Sequence, residues 1–88
     1  VLLVKPQFEA GSEAVGRDGV VRGADDRRTA LDRVAETARS LGIGLAGAMA
    51  SPLRGPAGNV EFLLYGRAGA PSGVVDLEAA VREGEELM

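Results

Sequence analysis

Val1-Leu2-Leu3-Val4 is an unbroken apolar run that stops at Lys5-Pro6. A run without polar alternation reads as a strand buried on both faces, the habit of parallel sheets under helices. Pro6 cannot donate to a strand ladder, and it biases Lys5 toward extended backbone, so the strand should end there. A buried central strand needs neighbours on either side, and none can precede residue 1. The chain therefore reads as a fragment of a larger α/β sheet.

The composition narrows the chemistry. With no Cys and no His among 88 residues, disulfides, thiolate sites and Cys/His zinc sites are excluded, as is a Ser or Cys nucleophile with a histidine base. No apolar stretch approaches the roughly 20 residues that cross a bilayer, and the start lacks the basic leader of a signal peptide. The formal net charge of −3 argues against binding nucleic acid unaided. A chain of this length hides only about 60–65% of its unfolded surface, so one small domain of marginal stability is the most it can build.

The 13 glycines punctuate the pattern. Gly11, Gly16, Gly19 and Gly23 mark a long loop around Val15, Val20 and Val21, with a short ordered piece expected at Val20-Val21. Asp25-Asp26 offers acidic N-caps to a helix whose apolar stripe is Leu31, Val34, Ala35, Ala38 and Leu41. Arg27, Arg28, Asp32, Arg33, Glu36 and Arg39 are expected mostly on its solvent side, and Gly42 supplies the stop. A thin strand follows over 43–51, then a Pro/Gly connection over 52–58. Val60 to Tyr65 forms a stronger strand. These two strands should make an antiparallel hairpin. Asp76 or Ser72 then caps a short helix over Leu77, Ala80 and Val81, expected to fray where Gly84 and three late glutamates weaken it.

A strand–helix–strand crossover makes the first two strands parallel. If the last strand inserts between them, Lys5 and Glu61 meet at the carboxyl edge of the parallel pair, where open α/β sheets carry ligands. The same two residues would also serve as a plain ion pair on a sheet rim, and spacing alone leaves both readings open.

Leu3-Val4-Lys5-Pro6-Gln7-Phe8-Glu9-Ala10-Gly11, then Val15-Gly16 and Gly19-Val20-Val21, then Ala50-Ser51-Pro52-Leu53, Gly55-Pro56 and Gly58-Asn59-Val60-Glu61-Phe62 form an ordered set. The set resembles the TlyA/hemolysin A family of FtsJ-like ribosomal RNA 2′-O-methyltransferases, from residue 1 to about residue 65. The resemblance implies an α/β fold: the C-terminal part of a Rossmann-like class I S-adenosylmethionine-dependent methyltransferase domain over 1–66, in a mixed sheet of strand order 5-7-6. A linker and short C-terminal helix would occupy 67–88.

By motif match, Lys5 stands for the second lysine and Glu61 for the glutamate of the family's Lys-Asp-Lys-Glu catalytic set. The first lysine, the aspartate and the glycine-rich cofactor loop have no counterpart here. The resemblance thus implies S-adenosyl-L-methionine as cofactor but no cofactor-binding residue in this piece, no metal, and a fragment inactive alone. An uncharged lysine amine beside a ribose hydroxyl could accept or orient its proton, with Glu61 holding the lysine in position.

Softer candidates for the RNA or active-site rim are Gln7 and Phe8, which could hydrogen-bond and stack on a base, although Phe8 could equally be core. Ser51 and Asn59 flank the strand connection. Arg17, Arg22 and Arg54 are possible phosphate contacts, or ordinary surface arginines. Ribosomal RNA or ribosomal subunits, reached through the full-length protein, are the implied partners, together with the missing N-terminal part. A cytoplasmic location follows from the same resemblance. Two other readings stand beside it. One is a non-catalytic α/β binding or accessory module, with a homo-oligomer formed through the exposed sheet edge. The other is a membrane-lytic hemolysin, which the lack of a basic amphipathic helix does not favour.

Overall fold

The computed structural model describes residues 1–87; the expected C-terminal segment 67–88 ends on Met88, outside the described residues. Three strands, β1 (Leu2–Val4), β2 (Ile43–Ala50) and β3 (Phe62–Ala68), form one sheet in the order β1-β3-β2. Both β1 and β2 run antiparallel to β3, so they are parallel to one another, with the last strand between them. Helices α2 (Ala24–Ser40) and α3 (Leu77–Glu86) pack together on one face. A single turn of helix, α1 (Pro6–Glu9), leaves β1 directly, with Pro6 in its first turn, where a missing N–H costs nothing.

The core lies between the sheet and the two helices. Val4, Leu45, Phe62 and Leu64 from the strands meet Ala30, Leu31, Ala35 and Ala38 of α2 and Leu77, Ala80 and Val81 of α3. Fully burying a side chain such as Leu64 or Phe62 stabilises by about 1.5–3 kcal/mol. The alanines of α2 let its backbone lie close to the strands. Arg28 ties the helices together through Glu78, at 2.6 Å, and also bonds Asp32 one turn along, at 3.1 Å. These exposed pairs contribute about 1 kcal/mol or less each.

Several sequence expectations need correction. The opening strand is not buried on both faces: Val4 is fully buried, but Leu3 is 50% exposed. It pairs with β3 alone, and its alternate residues point to the sheet face that carries no helix among the described residues. Leu3, Leu63 and Met49, which share one cross-strand row, lie there. Helix α2 begins at Ala24 with Gly23 as N-cap, leaving Asp25 and Asp26 in the first turn, where their charge complements the helix dipole. Arg27 is buried rather than solvent-facing, and Leu41 is exposed rather than part of the stripe, because the helix has already ended there. Gly42, with φ of 84°, supplies the left-handed stop.

The last strand starts and ends later than the apolar run indicates, at Phe62–Ala68. The C-terminal helix does not break at Gly84. That residue is buried, and a side chain there would press on Val60 and Phe62, so its missing Cβ is what lets α3 seat on the sheet. Asp76, not Ser72, caps α3 by accepting from the Ala79 N–H at 3.0 Å.

Candidate functional site

Three chain segments converge at one end of the sheet: the exit of β1, the exit of β2 and the entrance to β3. Because Val4 pairs with Phe62, the ladder carries Lys5 and Glu61 to facing positions one step beyond it. Lys5 is half-buried and caps α1 with extended backbone. Glu61 is 6% exposed. Its carboxylate accepts a hydrogen bond from Gln7 Nε2 at 3.0 Å. Among the described residues Lys5 and Glu61 form no direct ion pair, so the expected contact is replaced by a glutamine–glutamate contact with Lys5 beside it. The helical turn α1, which begins at Pro6 directly after β1, places Gln7 within hydrogen-bond reach of Glu61. Gln7 Oε1 is shielded from solvent and makes no hydrogen bond.

Glu61 rests on Gly55. A Cβ at Gly55 would overlap the carboxylate group, so this glycine is a seat, a role that its place in a Pro/Gly connection had hidden. The Glu61 carbonyl accepts from the Ser51 N–H at 2.8 Å. Ser51 is buried, and its hydroxyl accepts from the Leu53 N–H at 3.2 Å, which uses it to shape the turn. Asn59 is 1% exposed; its side chain bonds the backbone of Gly19 and Val21 in the glycine-rich loop. Ser51 and Asn59 are therefore interior residues of the rim rather than its outer surface.

The remaining candidates divide. Phe8 is 74% exposed, which removes the core alternative. Arg17 and Arg54 are exposed. Arg22 is engaged by Asp18 in a bidentate ion pair, which holds the Asp18 carboxyl down at about 2. Arg27, absent from the sequence candidates, is a buried cation whose Nη2 donates to the Val21 carbonyl at 3.0 Å. Burial lowers its pKa; Glu85 opposes that shift and Arg54 adds to it. No sequence signal separates it from its neighbour Arg28.

Among the described residues, shallow concavities lie elsewhere. One of about 580 Å³ lies at the opposite end of the sheet, between Gly44, Tyr65, Arg67 and Pro71. Another, of about 480 Å³, lies against α2 beside Arg33 and Glu36. Neither includes Lys5, Gln7 or Glu61. Among the described residues no cluster of His, Cys, Asp or Glu is placed to hold a metal ion, and none of these features forms a nucleotide-sized cradle at the rim.

The architecture and rim are those of a small α/β segment with ionisable residues at its strand ends. No family model matches the chain, but individual proteins do. It is 49% identical over 65 residues to the 16S/23S rRNA (cytidine-2′-O)-methyltransferase TlyA of Mycobacterium tuberculosis, covering 74% of this chain and 24% of that protein. It is 44% identical over 63 residues to a Bacillus subtilis protein named "Putative rRNA methyltransferase YqxC", covering 72% of this chain and 22% of that one.

Two solved structures superpose closely. A "putative hemolysin" from Lactococcus lactis gives a TM-score of 0.83 at 36% identity, over 94% of this chain and 41% of that one. A "putative hemolysin" from Streptococcus thermophilus gives 0.86 at 34% identity, over 97% and 32%. The chain belongs to the TlyA/hemolysin A family. It spans about a quarter of the length of the curated relatives it matches.

Proposed function

We propose that this segment is the C-terminal part of the catalytic domain of a ribosomal RNA (cytidine-2′-O)-methyltransferase, and that Lys5 and Glu61 lie in its active site. The observation that carries this reading is the juxtaposition at the strand ends: Lys5 faces Glu61 across the β1–β3 ladder, and Gln7 fixes the carboxylate. The similarity to TlyA supplies the substrate class. In the longer protein the sheet is Rossmann-like and S-adenosylmethionine is the methyl donor, held mainly by residues outside this chain. On this account the remainder of that domain continues the sheet at the open edge of β1 and covers the apolar row of Leu3, Leu63 and Met49 on its face. The segment alone is inactive on this account, and the working enzyme is cytoplasmic, with ribosomal subunits as partners.

The residues present divide the work as follows. Lys5 accepts or orients the proton of a ribose hydroxyl, a poor nucleophile unless that proton is withdrawn as the carbon–oxygen bond forms. Glu61, buried and held by Gln7, presents a fixed acceptor at the rim beside Lys5. Phe8, exposed just beyond the strand, offers a stacking face for an unpaired base. The test is a pH–rate profile of the complete protein with Lys5→Arg, an always-protonated cation. Loss of activity supports the proton-accepting role; retained activity shows that Lys5 is only an electrostatic support. A lytic reading has only the names of the structural neighbours behind it. Among the described residues no helix is long and apolar enough to cross a membrane.

A further inference from the structure

Residues 15 to 21 make a miniature hairpin. Val15 and Val21 form an isolated antiparallel bridge, the Gly16 N–H donates to the Val20 carbonyl at 3.0 Å, and the Gly19 N–H closes a turn on the Gly16 carbonyl at 2.9 Å. Gly19, with φ of 79°, takes the left-handed conformation the turn demands. Two strands this short do not hold together on their own in water. Something must anchor the hairpin, and the anchor comes from the far side of the sequence.

Asn59 Oδ1 accepts from the Val21 N–H at 2.9 Å, and Asn59 Nδ2 donates to the Gly19 carbonyl at 2.7 Å. One side-chain amide thus pairs with an N–H and a C=O two residues apart, as a neighbouring strand would. The Val21 carbonyl is taken by buried Arg27 at 3.0 Å. On its other side, the Asn59 backbone carbonyl accepts from the Gly55 N–H at 2.8 Å, and Gly55 is the seat of the Glu61 carboxylate. A continuous path runs from the hairpin through Asn59 and Gly55 to Glu61. Arg17 stands exposed in the hairpin turn.

We infer that Asn59 is a positioning residue: it locks the 15–21 hairpin to the entrance of β3, so that Arg17 meets the RNA backbone in fixed register with Glu61. The inference rests on the methyltransferase reading for its substrate, but not for its geometry. An amide is required because the hairpin edge presents one donor and one acceptor. An aspartate keeps the acceptor for Val21 but turns a negative oxygen toward the Gly19 carbonyl. Protonated, the same aspartate regains a donor.

The experiment uses the complete protein carrying this segment, in wild-type, Asn59→Ala, Asn59→Asp and Arg17→Ala forms. Amide hydrogen exchange at Val21 and steady-state methyl transfer to ribosomal subunits are the two readouts. In Asn59→Ala, protection of Val21 should fall by on the order of tenfold and kcat/KM by on the order of a hundredfold. Arg17→Ala should raise KM more than it lowers kcat, and an unaltered KM overturns the Arg17 contact. In Asn59→Asp, repulsion between the carboxylate and the Gly19 carbonyl should loosen the hairpin and lower Val21 protection at neutral pH although the Val21 acceptor remains, and acidification should restore it, a reversal that separates the clamp from general loss of structure. Unchanged Val21 protection in both Asn59 variants overturns the clamp. Lost protection with unaltered kcat and KM overturns the positioning role. If the wild-type protein transfers no methyl group, the enzyme reading fails, while the exchange data still decide the clamp.

Discussion

Gln7 and Glu61, 54 residues apart in sequence, are joined by a 3.0 Å hydrogen bond from the glutamine amide to the carboxylate. Glu61 is almost wholly buried, so the bond does more than decorate a surface: a buried acceptor left without its donor costs about 1–3 kcal/mol. Replacing Gln7 with Leu should destabilise the protein by that amount. Gln7→Glu should be worse at pH 7, where two carboxylates oppose each other, and milder near pH ~4, where one proton can be shared. Urea unfolding at the two pH values measures both effects. Equal stabilities of wild type and Gln7→Glu at neutral pH would show that the contact is not maintained in solution.

Gly55 makes a complementary prediction from sterics. Its missing side chain leaves room for the Glu61 carboxylate, so Gly55→Ala should push the carboxylate out of register. Methyl transfer by the complete protein should fall by on the order of a hundredfold, since a shift of about 1 Å in a reacting group has that consequence. Thermal unfolding should change much less. An active Gly55→Ala variant would mean that Glu61 has no positional role.

Gly84 tests the packing of α3. An added methyl would lie 2.9 Å from Val60 and 3.1 Å from Phe62, so α3 would have to lift from the sheet. Overpacking costs about 1–3 kcal/mol, against about 1 kcal/mol gained in helix propensity. Gly84→Ala is therefore expected to be neutral to destabilising by about 2 kcal/mol in denaturant unfolding. A clear gain in stability would contradict the close approach.

These glycines also show where the sequence was legible. The helix over 24–40 and the two strands of the hairpin could be read because their periodicities are regular and Gly42 marks a stop. The crossover argument left the insertion of the last strand open; the family resemblance implied it, and the sheet has the order β1-β3-β2. What could not be read was the purpose of individual residues whose role is set by a distant neighbour. Gly55 and Gly84 look like turn and helix-breaking punctuation, yet each accommodates a group from β3 or from the residues just before it. Arg27 sits on a helix face with other arginines, and only the tertiary fold buries it. The direct Lys5–Glu61 contact was inferred from strand register, which is correct for the backbone. The register gives no hint that α1 folds Gln7 back onto the carboxylate.

Asp18 provides a pH-dependent marker for the hairpin. The side-chain hydrogen bonds from Arg22 hold its carboxyl down from 3.8 to about 2. A carboxyl depressed on folding contributes stability above its unfolded pKa, and that contribution is lost as pH falls through the folded value. The window is thus from about 3.8 down to about 2, and because the pair is fully exposed its effect on global stability is small. A carbon-detected NMR titration should place the Asp18 midpoint near the lower value, and Arg22→Ala should return it to the ordinary carboxylate range. An unchanged midpoint in Arg22→Ala would remove Arg22 as the cause.

The most direct test of the account is methyl transfer by the complete protein that carries this segment, with ribosomal subunits and isotopically labelled S-adenosylmethionine as substrates. Wild type should label ribose 2′-oxygens of cytidines, while Lys5→Arg and Glu61→Gln should each reduce the rate by on the order of 10²–10⁴-fold with folding intact. Labelling absent from the wild type, or undiminished in both variants, would contradict the claim that the Lys5–Glu61 rim is the active site.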